Sequence, residues 1–168
     1  MHVQSKSLIF PIDRAPTPEC HAATICETDT GLLAAWFAGT KEKAPDVGIW
    51  IASREHSRSE WSDPVEVAAA MNQEPCWNPV LHHHDGRTTL YFKRGPSPSR
   101  WRGAKMTSID GGGTWQPEQM IAPPALGPIK NKPVVLQDGA LLHRSSTEHD
   151  GWRCHFEVEK NGATSIAS

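Results

Sequence analysis

Ser108-Ile109-Asp110-Gly111-Gly112-Gly113-Thr114-Trp115 is the stretch that decides the fold of this 168-residue chain. It fits the pattern Ser-x-Asp-x-Gly-x-Thr-Trp at every defined position. Each residue type has a task in a tight turn. The Asp110 carboxylate is placed to accept hydrogen bonds from turn N–H groups, the glycines supply positive φ, and the Trp115 indole packs beneath. The octapeptide therefore predicts one strand ending near Ser108 and another starting shortly after Trp115.

Outward from that turn, the chain repeats. Asp29-Thr30-Gly31, Asp85-Gly86 and Asp138-Gly139 recur about 55 residues apart, each between two apolar or alternating runs. The runs before are Ala22 to Cys26, Pro79 to His83 and Pro133 to Leu136; those after are Leu32 to Phe37, Thr89 to Phe92 and Ala140 to Leu142. Strand, Asp-Gly turn, strand is a hairpin signature. The later halves also align, Ile49–Ser53 through Trp61 with Ala104–Ser108 through Trp115, followed by short strands at Val65–Ala68 and Gln119–Ala122. Each unit thus reads as four antiparallel strands, one blade of a β-propeller, with the octapeptide turn joining its third and fourth strands.

The expected fold is all-β, about three four-stranded antiparallel blades in one partial domain over residues 1–168. Blade 1 covers about 20–68, blade 2 about 77–123 and blade 3 about 131–168. In blade 3, Cys154–Glu159 reads as a third strand and Lys160-Asn161-Gly162-Ala163-Thr164 as a decayed copy of the turn. No Trp follows Thr164, and only Ser165–Ser168 remain for a fourth strand, so this blade is expected to be incomplete. An open half-propeller leaves an uncovered blade face and unpaired edges. Either two copies close a ring as a homodimer, or the sequence is a truncated piece of a longer product.

Composition agrees with a β protein. Fourteen Pro, 13 Gly and seven Trp against one Tyr suit many short strands with punctuated turns. The net charge of −2 and the lack of a basic block argue against nucleic acid as a partner. No run is long and apolar enough for a transmembrane helix, and Met1–Lys6 lack the apolar region of a signal peptide, so a cytoplasmic location is expected. Cys20, Cys26, Cys76 and Cys154 show no Cys-x-x-Cys spacing and read as buried thiols. His82-His83-His84 alternates across a strand without Cys or carboxylate partners, a poor zinc pattern; no metal or cofactor is expected.

With repeat and turn in hand, the chain resembles the sialidase (neuraminidase) superfamily, in its BNR/Asp-box branch. The octapeptide, with Ser108, Asp110, Gly112, Thr114 and Trp115, is the Asp-box. Cys20–Ile25, Leu32–Gly48, Pro75–Pro79, Gly127–Pro133, Ser145–Glu148 and Gly151–Arg153 also look like a bacterial sialidase-like subgroup. The resemblance spans residues 8–158. It implies a six-bladed propeller, of which three units form the N-terminal half, and a glycosidase acting on an acidic sugar of the sialic or uronic acid type. Family members clamp the substrate carboxylate with an Arg triad, whose first Arg precedes Ile-Pro on entering blade 1. Here the matching residues are Glu19-Cys20-His21-Ala22, so that Arg is missing. The family's Asp acid/base lies between strands 2 and 3 of blade 1, where this chain has Asp46. Tyr91, mid-strand in blade 2, matches no nucleophile.

Propeller geometry sorts the remaining candidates. Starts of inner strands and loops between second and third strands share one face, so polar residues from all three units converge on one mouth. His21 begins the innermost strand and is either an acid/base or a rim histidine satisfied by a carbonyl. Asp46 is either catalytic or a turn cap. Glu148 occupies the equivalent loop of blade 3 and pairs with Asp46 if the two face each other. Lys130-Asn131-Lys132, framed by Pro128 and Pro133, is either a carboxylate clamp or a solvated loop. Asn78, Lys93 and Arg100 complete the expected substrate-binding set. Hydrolysis of an acidic sugar, a lyase reaction using His21, and a non-catalytic carbohydrate-binding or assembly module all remain open.

Overall fold

The computed structural model describes residues 7–167. It contains three four-stranded antiparallel sheets, each an up-and-down meander in chain order. Blade 1 comprises β1 (Glu19–Thr28), β2 (Gly31–Gly39), β3 (Gly48–Glu55) and β4 (Val65–Ala68). Blade 2 comprises β5 (Cys76–His84), β6 (Arg87–Arg94), β7 (Arg102–Ser108) and β8 (Gln119–Met120). Blade 3 comprises β9 (Val134–Val135), β10 (Leu141–Thr147), β11 (Arg153–Lys160) and β12 (Ala163–Ile166). The architecture is a β-propeller fragment of three four-stranded blades. The only helical element among the described residues is a single 3-10 turn, Ile12–Arg14, far too short to cross a membrane.

Blade 3 differs from the expectation of a missing strand. Asn161 and Gly162 adopt φ of 53° and 82°, the left-handed pair of a two-residue hairpin. That turn sends Ala163–Ile166 back along β11, so four strands form without a Trp-bearing turn. The blade is thin rather than short of a strand: β9 has only two residues.

The Ser108–Trp115 turn is closed from within. Asp110 Oδ1 accepts Thr114 N at 2.9 Å and the Ser108 hydroxyl at 2.7 Å, while Oδ2 accepts the Thr114 hydroxyl at 2.6 Å. The Thr114 hydroxyl, its amide and Ser108 hold the Asp110 carboxyl well below the usual carboxylate range. The Trp115 indole N–H donates to Gly112 O at 3.1 Å, and Gly111 and Gly112 take φ of 75° and 100°.

Alternation along the strands makes two unlike seams. Leu33, Phe37, Ile49 and Ile51 of blade 1 meet Leu81, Leu90, Phe92 and Met106 of blade 2 in one apolar core. The other face of β6 carries Tyr91 and Lys93, which point toward blade 3 and are fully buried. On blade 1's far face, Trp36 and neighbouring alanines pack with Ile9, Phe10, Trp50 and Trp61. The cysteines do not follow the expectation of burial: Cys76 is buried, with its thiol pushed up to about 12 by desolvation, but Cys20 and Cys154 are exposed.

Candidate functional site

The two inner strands β1 and β5 break their ladders at the same point. The register shifts between His21 and Thr24 in β1 and between Trp77 and Val80 in β5. Ala22 and Asn78 sit in these bulges with φ of 51° and 37°. A bulge bends the strand and re-aims its side chains. Here both bends face the segment that leads into blade 3. The three together enclose a cavity of about 340 Å³ lined by His21, Ala22, Ala23, Phe37, Glu42, Asn78, Pro79, Ile129 and Lys130. Below it the inner strands are tied to each other and to the approach of blade 3. Leu81 N donates to Thr24 Oγ1 at 3.4 Å, and Lys132 Nζ donates to Ile25 O at 2.5 Å and Leu81 O at 2.8 Å.

Four polar side chains of different character share this mouth. The His21 ring stacks on Phe37, with centroids 5.6 Å apart and planes 19° from parallel, which fixes the imidazole's orientation. Glu42 comes from the β2–β3 loop, and its backbone N–H donates to Glu19 Oε2 at 3.0 Å. Asn78 brings an amide from a half-buried position, and Lys130 an ammonium at the exposed rim. The set offers a proton-transfer group, a carboxylate, a hydrogen-bonding amide and a cation, which can position and polarise an anionic, hydroxyl-rich ligand.

The other expected site residues lie elsewhere. Asp46 is exposed and accepts Thr40 N at 3.0 Å as well as the Thr40 hydroxyl. Those bonds, the hydroxyl's foremost, lower its pKa, so it is ionised and closes its own loop rather than facing the cavity. Glu42, four residues earlier in that loop, takes the lining position; the shared loop was the signal for it. Lys93 is not at the mouth but entirely buried, with Nζ donating to Pro128 O at 2.8 Å. The period of two along β6 turns it into the blade 2–blade 3 seam. Lys132 spends its ammonium on the two inner-strand carbonyls. Arg100, Asn131 and Glu148 belong to surrounding loops and do not line the cavity, so Glu148 and Asp46 do not face each other across it. His83 donates to or accepts from Thr88 at 2.9 Å, and no group of three or more metal-ligating side chains occurs among the described residues.

Larger clefts of about 510 and 440 Å³ lie at the opposite ends of the strands, by Asp110 and by Asp85. The first is walled largely by turns and the second by strand residues of blades 2 and 3, whereas the mouth draws polar groups from the approaches of all three sheets.

A family model described as BNR repeat-like domain matches residues 30–165. No curated protein is similar enough in sequence to be matched. Among solved structures, the chain is similar to the Hadza microbial sialidase Hz136, with a TM-score of 0.72, 11% identity, and coverage of 89% of this chain and 37% of that one. It is also similar to the Trypanosoma rangeli sialidase in complex with sialic acid, with a TM-score of 0.65, 10% identity, and coverage of 88% and 30%. A third similar structure is the Penicillium chrysogenum alpha-L-arabinanase complexed with arabinobiose, with a TM-score of 0.60, 15% identity, and coverage of 87% and 50%. The chain thus spans about a third of the sialidases' length and half of the arabinanase's.

Proposed function

The chain belongs to the BNR repeat-like domain family, and from that premise we propose that its mouth binds an acidic sugar as part of a sialidase-type carbohydrate-active domain. One observation carries this reading: His21 of blade 1, Asn78 of blade 2 and Lys130 of the segment that leads into blade 3 line a single cavity of about 340 Å³. A sugar ring needs hydroxyl partners and its carboxylate needs a cation. Asn78 supplies the first and Lys130 the second, as a point charge rather than the fork an arginine would offer. His21, held flat on Phe37, is the proton-transfer group, with Glu42 as the second acid/base across the cavity.

The lining favours one chemistry within this reading. Glycoside hydrolysis normally uses two carboxyl groups flanking the bond, and only Glu42 lines this mouth. A histidine beside a lysine suits elimination from a uronic acid. His21 takes the proton next to the carboxylate, Lys130 stabilises the enolate-like intermediate, the glycosidic C–O bond breaks, and Glu42 in its acid form protonates the leaving oxygen.

Titration calorimetry with methyl glucuronoside, methyl N-acetylneuraminide and neutral methyl glucoside tests the binding. At least one acidic glycoside should bind about tenfold more tightly than the neutral one, a preference that Lys130→Ala removes. Equal affinity for all three would sink the acidic-sugar reading. Release of an unsaturated uronide from a uronoside linked through its O4 to a second sugar, lost in His21→Ala, would separate elimination from simple binding.

A further inference from the structure

The mouth's lysine wall has no regular secondary structure of its own. It is the end of segment 121–130, which crosses from blade 2 to blade 3. Backbone of that kind holds a position only where its polar groups are bonded. Two side chains with no exposed surface supply three of those bonds, all at residues 126–128. Glu157 of β11 accepts Leu126 N at 2.9 Å on one oxygen and Gly127 N at 2.7 Å on the other. Lys93 of β6 donates to Pro128 O at 2.8 Å. The next residue, Ile129, donates its N–H to Arg144 O at 3.3 Å, and Ile129 and Lys130 then line the mouth. Burying an ammonium and a carboxylate costs several kcal/mol per ion, and the two do not bond each other: Lys93 bonds Pro128 O, and Glu157 bonds the segment's amides and His155 Nε2 at 2.9 Å. What the pair fixes is three consecutive backbone positions immediately before the wall.

We propose that Lys93 and Glu157 are positioning residues for the mouth: the buried pair grips residues 126–128 from both blades and so sets where Lys130 meets the ligand's carboxylate. Neither touches ligand; both act through the segment. The ligand class rests on the reading given above, but the clamp does not, because backbone behaviour at 126–130 reports it directly.

The experiment compares Lys93→Met and Glu157→Gln, which keep side-chain length, with Tyr91→Phe as a control. Tyr91 lies in the same seam but bonds Glu159 at 3.0 Å and not the segment. Amide hydrogen exchange and the backbone resonances of residues 126–130 form the first readout. The two clamp variants should exchange at least about tenfold faster at Leu126 and Gly127 and shift Lys130, while Tyr91→Phe leaves both unchanged. Calorimetry is the second. The clamp variants should lose about tenfold affinity for the acidic glycoside with little change for the neutral one.

Unaltered exchange and resonances in both clamp variants would overturn the proposal, whatever the ligand. So would an equal loss in Tyr91→Phe, because any loosening of the seam would then do the same. If a clamp variant fails to fold, the other carries the comparison, and Glu157→Asp, which shortens the grip while keeping the charge, should give an intermediate loss. Absence of acidic-glycoside binding in the unmodified protein would instead count against the functional reading alone.

Discussion

The seam between blades 1 and 2 and the seam between blades 2 and 3 bury the two faces of the same sheet in opposite chemistry. On one face Leu90 and Phe92 enter an apolar core with Leu33, Phe37 and Ile49. On the other, Tyr91, Lys93 and Lys105 meet His143, Glu157 and Glu159. Lys105 Nζ lies 2.6 Å from Glu159 Oε1, and the Tyr91 hydroxyl donates to Oε2 at 3.0 Å. His143 Nε2 approaches Oε2 at 3.3 Å without the alignment of a hydrogen bond. An apolar seam tolerates imprecise fit and loses stability roughly in proportion to what is removed. A charged seam holds only while its ion pairs and hydrogen bonds stay intact. The first therefore anchors blades 1 and 2 to each other, and the second makes the position of blade 3, and of the wall before it, depend on charge state.

The comparison is broken most directly at Phe92, which is fully buried in the apolar seam. Phe92→Ala should cost about 3–5 kcal/mol in denaturant unfolding, with blades 1 and 2 losing protection together. A loss confined to blade 3 would mean that the two seams are not separate units. A somewhat smaller effect is expected from acid on the second seam. Burial pushes the Glu159 carboxyl up, but His143, Lys105 and Tyr91 outweigh it and hold it down to about 2. A group depressed in the folded state contributes stability that is fully present above its unfolded value, 4.5, and is lost as pH falls through about 2. Roughly 3 kcal/mol of docking should disappear across that window. Hydrogen exchange between pH 4.5 and 2 should show blade 3 amides opening while the Phe92 core stays closed, and Glu159→Gln should flatten the pH dependence. If both seams open at the same pH, charge is not what distinguishes them.

The two seams were also unequally legible. Hairpins and the Ser108–Trp115 turn are local chemistry, with every side-chain bond of the turn inside eight consecutive residues, so the residues that specify them stand together in the chain. The apolar seam shows as alternating Leu and Phe. The charged seam did not show: Lys93 at the end of a strand reads as a rim cation, because its burial depends on Glu157 and Pro128, far along the chain. Asp46 stood out by its place in a loop, yet the short reach to Thr40 decided its partner, and Glu42 turned inward instead. The fourth strand of blade 3 went unread because a missing Trp masked the Asn161-Gly162 hairpin, and strand pairing needs only the latter.

The smallest effect expected lies in the mouth and asks whether its shape is independent of both seams. Ala22 and Asn78 hold equivalent bulges, and both have φ in the left-handed region. Asn tolerates that conformation through its short polar side chain, whereas alanine has no such compensation and its Cβ crowds the backbone. Ala22→Gly therefore removes strain but adds freedom to the unfolded chain. Relief should prevail at a positive φ, giving a gain of about 0.5–1 kcal/mol by thermal unfolding. Neither seam should move, since Ala22 is exposed and belongs to neither core. If Ala22→Gly instead lowers stability, or changes exchange at Phe92 or Glu159, then the bulge is held by the seams, and the mouth cannot be treated as a part that its two neighbours merely carry.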